Sequence, residues 1–367
     1  GICLKSFDGI EYLVNLKELN VSCNTLKSLF GVESLINLTK LDVCYNNITS
    51  LTGIKTLINL THLIINNNRL TNLLGVGSLI NLEHLNVRNT QLTSLAGVEL
   101  LFNLEHLSAS DNQLKSLIYI KFLINLKYLA VCGNQLTNLT GVESLINLTY
   151  LNVSKNHLIN LTGIELLINL KSLNVCDNNL TTLTGIELLI NLEYLYASEN
   201  RLTTLAGVGQ LANLNQLNVC DNQITSIKDL KNLDKLIYLD VARNKLKSLT
   251  SIETLINLKH LFAGGNSFRS IIYICNLCKL ETILLVCPRE IAYLGYIPKY
   301  TIITKLDKLN LIKHINRNKF DNYNYWQLLR RFPIVLKINI FNNLKKLLID
   351  DFKIILTRHR YFKKILF

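Results

Sequence analysis

The stretch Ile146–Leu167 reads INLTYLNVSKNHLINLTGIELL, and the next 22 residues, Ile168–Leu189, read INLKSLNVCDNNLTTLTGIELL. With Leu148 as position 1, leucine returns every 22 residues from Leu16 to Leu280, giving thirteen units without an insertion or deletion. Within each unit apolar residues return at positions 1, 4, 6, 11 and 14, as in Leu148, Leu151, Val153, Leu158 and Leu161, and an Asn returns at position 9. Positions 4 and 6 alternate with polar neighbours, the period of two that gives a strand one apolar face. One unit cannot bury that face alone. Stacked units share a core, and stability becomes roughly a sum of nearest-neighbour terms.

The Asn column comprises Asn24, Asn46, Asn112, Asn134, Asn156, Asn178, Asn200, Asn222, Asn244 and Asn266; Thr90 breaks it, with Asn89 one residue early, and Pro288 ends it. It falls where the chain must turn away from the strand, stranding backbone N–H and C=O groups. A carboxamide donates and accepts at once, so a ladder of them satisfies groups that cost about 1 to 3 kcal/mol each when buried unpaired. The returning LTGIELLINL, with Gly163 and Gly185 marking the turn into the outer face, resembles the short 22-residue class of leucine-rich repeats. That class is shared by the leucine-rich regulatory subunit of protein phosphatase-1 and by bacterial internalins. The resemblance spans about residues 1–287. It implies an α/β fold: a right-handed leucine-rich repeat solenoid, or horseshoe, with a parallel concave sheet and short 3₁₀ or α turns on the convex side.

Mean hydropathy is +0.25 with 49% apolar residues, yet no run of 18 apolar residues occurs, so the hydrophobicity belongs to the repeat and not to a transmembrane helix. The chain contains no Met and its first residues already sit inside a unit, which points to a longer gene product. Four of the nine cysteines, Cys44, Cys132, Cys176 and Cys220, occupy position 7. The closest of these lie two units apart, roughly 9 to 10 Å at the spacing of parallel strands, beyond disulfide reach. Free thiols favour a cytoplasmic or otherwise intracellular setting. Cys275 and Cys278 form a C-x-x-C without a second pair, and the expectation is no metal site and no cofactor.

Through residue 287 there are 22 basic and 21 acidic residues; the last 80 residues hold 17 basic and 5 acidic, so nearly all of the net +13 lies there. Composition therefore divides the chain into a solenoid over 1–287 and a basic, mainly helical region over 288–367. Leu344, Leu348, Phe352, Ile355, Phe362 and Leu366 recur at helical spacing opposite Lys345, Lys346, Lys353, Arg360, Lys363 and Lys364. This basic amphipathic segment reads first as a cap over the open end of the core, with an anionic membrane or nucleic acid as further possible partners.

Positions 3, 5, 7 and 8 point out of the concave sheet and differ between units. Position 3 holds His62, His84, His106, Tyr128, Tyr150, Tyr194, Tyr238 and His260, and position 5 adds Tyr196 and Phe262. Rings on neighbouring strands make a rigid amphipathic stripe of the kind favoured at protein interfaces. Position 8 supplies a charged rim with Asp111, Lys155, Asp177, Glu199, Asp221 and Arg243. No phosphate loop, nucleophile elbow or pair of facing carboxylates is present. The expectation is a monomeric, non-catalytic scaffold that binds a protein partner through its concave face, with no small-molecule substrate. The alternatives are a phosphatase regulatory subunit, a surface adhesin resembling internalins, or a binder acting through the basic tail.

Overall fold

The computed structural model of the chain describes residues 3–268, 273–274 and 277–285. Each unit contributes one three-residue strand: β1 (Glu18–Asn20), β2 (Lys40–Asp42), β3 (His62–Ile64), β4 (His84–Asn86), β5 (His106–Ser108), β6 (Tyr128–Ala130), β7 (Tyr150–Asn152), β8 (Ser172–Asn174), β9 (Tyr194–Tyr196), β10 (Gln216–Asn218), β11 (Tyr238–Asp240), β12 (His260–Phe262) and β13 (Thr282–Leu284). They form one parallel sheet in sequence order. The pairing never slips: Glu18 faces Lys40, His84 faces His106 and Tyr128 faces Tyr150, each one period away. A one-residue slip would turn every buried leucine outward, so the apolar pattern sets the register. A single core runs from Phe7 to Leu285. The basic region expected over 288–367 lies outside the described residues, as do Cys275 and Cys287.

The return path from sheet to sheet is short. Among the described residues its helical pieces are all 3₁₀, such as Ile54–Thr56 and Ile186–Leu188, with no α-helix. The backbone at position 16 decides where such a turn begins: it has a positive φ at the glycines and also at Ser251, where φ is +79 and the turn starts at Ile252 as usual. Gly141 there has φ +108, and a Cβ on it would lie 2.3 Å from the Leu117 carbonyl oxygen, so only glycine is accommodated. Where Tyr119 or Asp229 replaces the glycine, the 3₁₀ turn starts two positions earlier, at Ile118 and Lys228, from residues with negative φ.

The position-9 carboxamides bridge adjacent units. Asn178 donates through Nδ2 to the carbonyls of Val175 (3.1 Å) and Cys176 (3.2 Å) in its own unit and Val153 (3.1 Å) in the preceding one, and its Oδ1 accepts the Leu158 amide at 2.9 Å. Asn68 makes the same set and belongs to the ladder, although the column read from the sequence passed over it. Thr90 makes less. Its Oγ1 lies 3.1 Å from the Val87 carbonyl and 2.7 Å from Asn112 Oδ1, and the Leu70 amide lacks the carboxamide acceptor that serves Leu26, Ile48 and Leu92.

A second Asn ladder runs at position 22. Asn125, Asn147, Asn169 and Asn191 donate to the carbonyls of Phe102, Ile124, Ile146 and Ile168 at 2.8 to 2.9 Å. The 22-residue recurrence of the I-N-L tripeptide was its sequence signal. Glutamates at position 18 close the outer turn, as when Glu143 Oε2 accepts the Gly141 amide at 2.7 Å.

Two substitutions test the first ladder. Asn178→Ala strands the Leu158 amide and takes one donor each from three carbonyls that keep another, from Asn156, Asn200 and the Lys155 amide, and the urea unfolding midpoint should fall by an amount equivalent to about 1 to 3 kcal/mol; an unchanged midpoint removes the ladder account. Thr90→Asn should raise stability by about 1 kcal/mol by supplying Leu70 with its acceptor. A lowered midpoint would mean that the hydroxyl bond to Asn112 outweighs the added carboxamide.

Candidate functional site

From β2 onward each strand buries its central residue, and most leave the two flanking ones half-exposed, as with Tyr150, Leu151 and Asn152. Because the register is constant, position-3 side chains of successive units lie directly beside one another. His62, His84, His106, Tyr128 and Tyr150 stack in a continuous column, with centroid separations of 5.5, 4.0, 3.9 and 4.4 Å and interplanar angles of 8°, 11°, 6° and 2°. Their faces are occupied by each other, so ring edges meet the concave space.

The stripe expected from the sequence divides in two. Ser172 follows Tyr150 and offers no ring. Beyond it Tyr194, Tyr196, Tyr238, His260 and Phe262 form a second block of different geometry. Gln216 separates Tyr194 from Tyr238 in column 3, so no neighbouring strand on that side offers a ring. Tyr238 lies tilted 37° to Phe262 at 5.4 Å and 45° to His260 at 6.3 Å, and Tyr196 donates its hydroxyl to Gln216 Oε1 at 3.0 Å. Gln216 is thus a member of the site that a search for rings alone passes over.

Burial perturbs the middle of the stacked column. His62 Nδ1 is 2.9 Å from Thr61 Oγ1, whereas the Nδ1 atoms of His84 and His106 are buried without a partner. Burial, and then the adjacent imidazole, lowers both basicities, and His106 falls to about 4. Burial, with Tyr150 alongside, raises the Tyr128 phenol to about 12. Three imidazoles stacked plane on plane direct their lone pairs side by side, not toward a common centre. Among the described residues no group of three His, Cys, Asp or Glu side chains could hold a metal ion.

Around the stack, not every variable position is free for recognition. At position 5, Asn20, Asp42, Asn86, Asn152, Asn174, Asn218 and Asp240 accept the backbone amide two residues on, at 3.0 to 3.1 Å, closing the bend after the strand. At position 8, Asp111, Lys155, Asp177, Glu199, Asp221 and Arg243 all have φ near +50°. Arg88 Nε meets Asp111 Oδ2 at 2.8 Å beside the stack, and Arg243 pairs with Asp221 further along. These exposed pairs contribute little to stability and serve to orient the rim.

Column 7 alternates serine with cysteine from Ser110 to Cys220. Ser198 Oγ donates to Cys176 Sγ at 3.0 Å, Cys44, Cys132, Cys176 and Cys220 form no disulfide, and burial pushes the Cys44 and Cys220 thiols up to about 12. These thiols are packed small side chains.

Residues 190–232 match the family model for leucine-rich repeats in two copies. An internalin, InlF, from Listeria monocytogenes is 25% identical with a TM-score of 0.63, covering 74% of this chain and 88% of its own. The functional domain of InlJ from the same organism, described as including a cysteine ladder, is 28% identical with a TM-score of 0.67, covering 82% and 67%. The leucine-rich repeat protein LIC12759 of Leptospira interrogans is 26% identical with a TM-score of 0.64, covering 87% and 99%. A comparison with curated protein sequences gives no match. The chain is a leucine-rich repeat solenoid similar to internalins.

The depressed imidazoles set a pH dependence. In the unfolded chain each titrates near 6.5, so the unfolded state takes up protons first as pH falls. Stability should be fully present above about pH 6.5 and decline toward pH 4, by about 1 kcal/mol for a half-exposed His106 after solvent screening. Melting curves of wild type and His106→Phe across this interval check it. Equal slopes for the two proteins would show that the stack does not hold His106 neutral.

Proposed function

We propose that the chain is a non-catalytic scaffold that binds a protein partner through its concave face, with the ring column His62 to Tyr150 as the centre of contact. Leucine-rich repeat proteins are typically interaction scaffolds, and the fold supports that much directly. The observation that supports the finer reading is the five-ring stack, whose parallel planes hold a preordered amphipathic edge on the continuous parallel sheet. Preordered aromatic surface binds at low entropic cost, since the rings have little freedom left to lose. The paired Arg88 and Asp111 form a polar rim at one side, and the tilted block around Tyr238 supplies a second anchor. A second reading, a surface adhesin, is supported by the two Listeria internalins among the structural neighbours.

The test compares Tyr128→Ala/Tyr150→Ala with Lys115→Ala/Lys247→Ala, both lysines being exposed and away from the sheet. Loss of an interface tyrosine costs about 2 kcal/mol or more, roughly a thirtyfold weakening, while exposed surface changes stay within about 0.5 kcal/mol. The tyrosine pair should therefore lose the protein that wild type captures from lysate and keep its melting curve, and the lysine pair should retain it. Capture retained by the tyrosine pair and lost by the lysine pair would place the binding face elsewhere. Lysines are the better control because outer-face glutamates such as Glu143 accept a backbone amide.

A further inference from the structure

Positions 19 and 21 flank the buried leucine of position 20. In several units the amide of residue 21 donates to the carbonyl of residue 19, as in Ile124 to Phe122, Ile146 to Ser144 and Ile190 to Leu188, each at 2.9 Å. This three-residue turn leaves both side chains on the outer surface while the leucine between them is buried. Position 21 is apolar in most units, and in the middle of the solenoid position 19 joins it. Leu100 with Phe102, Phe122 with Ile124, Ile146, Leu166 with Ile168, and Leu188 with Ile190 are 50% to 61% exposed. The carbonyls of Phe102, Ile124, Ile146, Ile168 and Ile190 are taken up by the asparagines of the following units. The stripe is thus apolar in its side chains and has those backbone acceptors satisfied.

Its layout is close to palindromic about Ile146. Two apolar pairs lie on each side, and the small Ser144 stands at the centre. The double stripe stops at Gln210 and Ala212 in one direction and narrows to Ser78 and Ile80 in the other. Nine half-exposed large side chains offer roughly 900 Å² of apolar surface, above the few hundred Å² usual for a monomer and close to the ~800 Å² per partner of a stable interface.

We propose that this stripe is a homodimer interface, in which a second copy of the chain packs antiparallel about a twofold axis through Ile146 and Ser144. An interface of this kind must be self-complementary, the same patch meeting itself with residue i against j and j against i. The axis sets the bulky Phe122 and Phe102 of one copy against the aliphatic pairs Leu166 with Ile168 and Leu188 with Ile190 of the other. The same axis sets Lys121, whose Nζ lies 4.8 Å from the Phe122 ring centroid, opposite Glu165 of the second copy, but Glu99 opposite Glu187 and Glu143 opposite its own mate, so the apolar pairs and not the charges carry the contact. This proposal differs from the monomer expected from the sequence. The concave face stays open in both copies.

Sedimentation equilibrium of the full chain, over a concentration series reaching about 100 µM, reads the association. Wild type should dimerise. Ile146→Lys brings two ammonium groups together at the centre of the interface and should weaken association about a hundredfold or more, with an unchanged melt for a half-exposed residue. Tyr128→Ala/Tyr150→Ala should dimerise like wild type, separating this proposal from the concave-face reading. Ser144→Cys, oxidised with glutathione disulfide, should yield a cross-linked dimer on a non-reducing gel that wild type does not give. A wild type monomeric throughout, or an Ile146→Lys protein associating as wild type does, overturns the proposal. A monomeric wild type destabilised by Ile146→Lys would show that the stripe is covered from within the chain.

Discussion

One carboxamide at the bend after each strand carries more of this structure than any other group. The stacked leucines supply the bulk of the driving force, but apolar contact is non-directional and tolerates sliding. What stops one unit from sliding on the next is the Asn178 type of contact, which joins two carbonyls of its own unit to an amide and a carbonyl of the unit before. Such groups are dear to leave unpaired and specific in geometry, so they convert a greasy stack into an indexed one. The second ladder, from Asn37 to Asn257, makes an analogous link at the opposite end of the return path.

Indexing is what makes the concave columns chemically meaningful. His84 and His106 lie with rings 4.0 Å apart because their strands are held in register, and burial in the stack, then the adjacent imidazole, lowers the basicity of both. A slack sheet would let the imidazoles separate and hydrate. The rigidity of the skeleton and the lowered basicity of these two rings are therefore one property seen at two depths. The αL bend at position 8 adds to this by fixing the exit direction of rim side chains such as Asp111 and Glu199.

Most of the fold was legible in the sequence, because a strict 22-residue recurrence of leucine and asparagine admits few other structures. The ring column was legible for the same reason, since a constant register places equal positions side by side. Its interruption was not weighted properly: Ser172 and Gln216 stood plainly in the column, but a count of aromatics hides where the gaps fall. Position 5 shows a different limit. Asn152 and Asp240 vary as a recognition residue would, and their bond to the backbone two residues on appears only when the bend is seen. Asn68 was overlooked as a ladder member despite its position. The raised pKa of the Cys44 and Cys220 thiols follows first from burial, which spacing alone does not report.

The ladder bonds described above reach only from one unit to the next, and all repeat at the same interval. For the gene, this makes the number of repeats adjustable: gain or loss of one whole repeat by unequal recombination leaves both ladders continuous, whereas a shift by any other length breaks them. Surface chemistry changes with each such event even when no codon mutates. Loss of the repeat that carries Ser172 would bring Tyr194 alongside Tyr150 and lengthen the ring stack by one member, up to the gap at Gln216. Recombination among near-identical neighbours can thus edit the concave face one whole repeat at a time, where substitution edits it residue by residue.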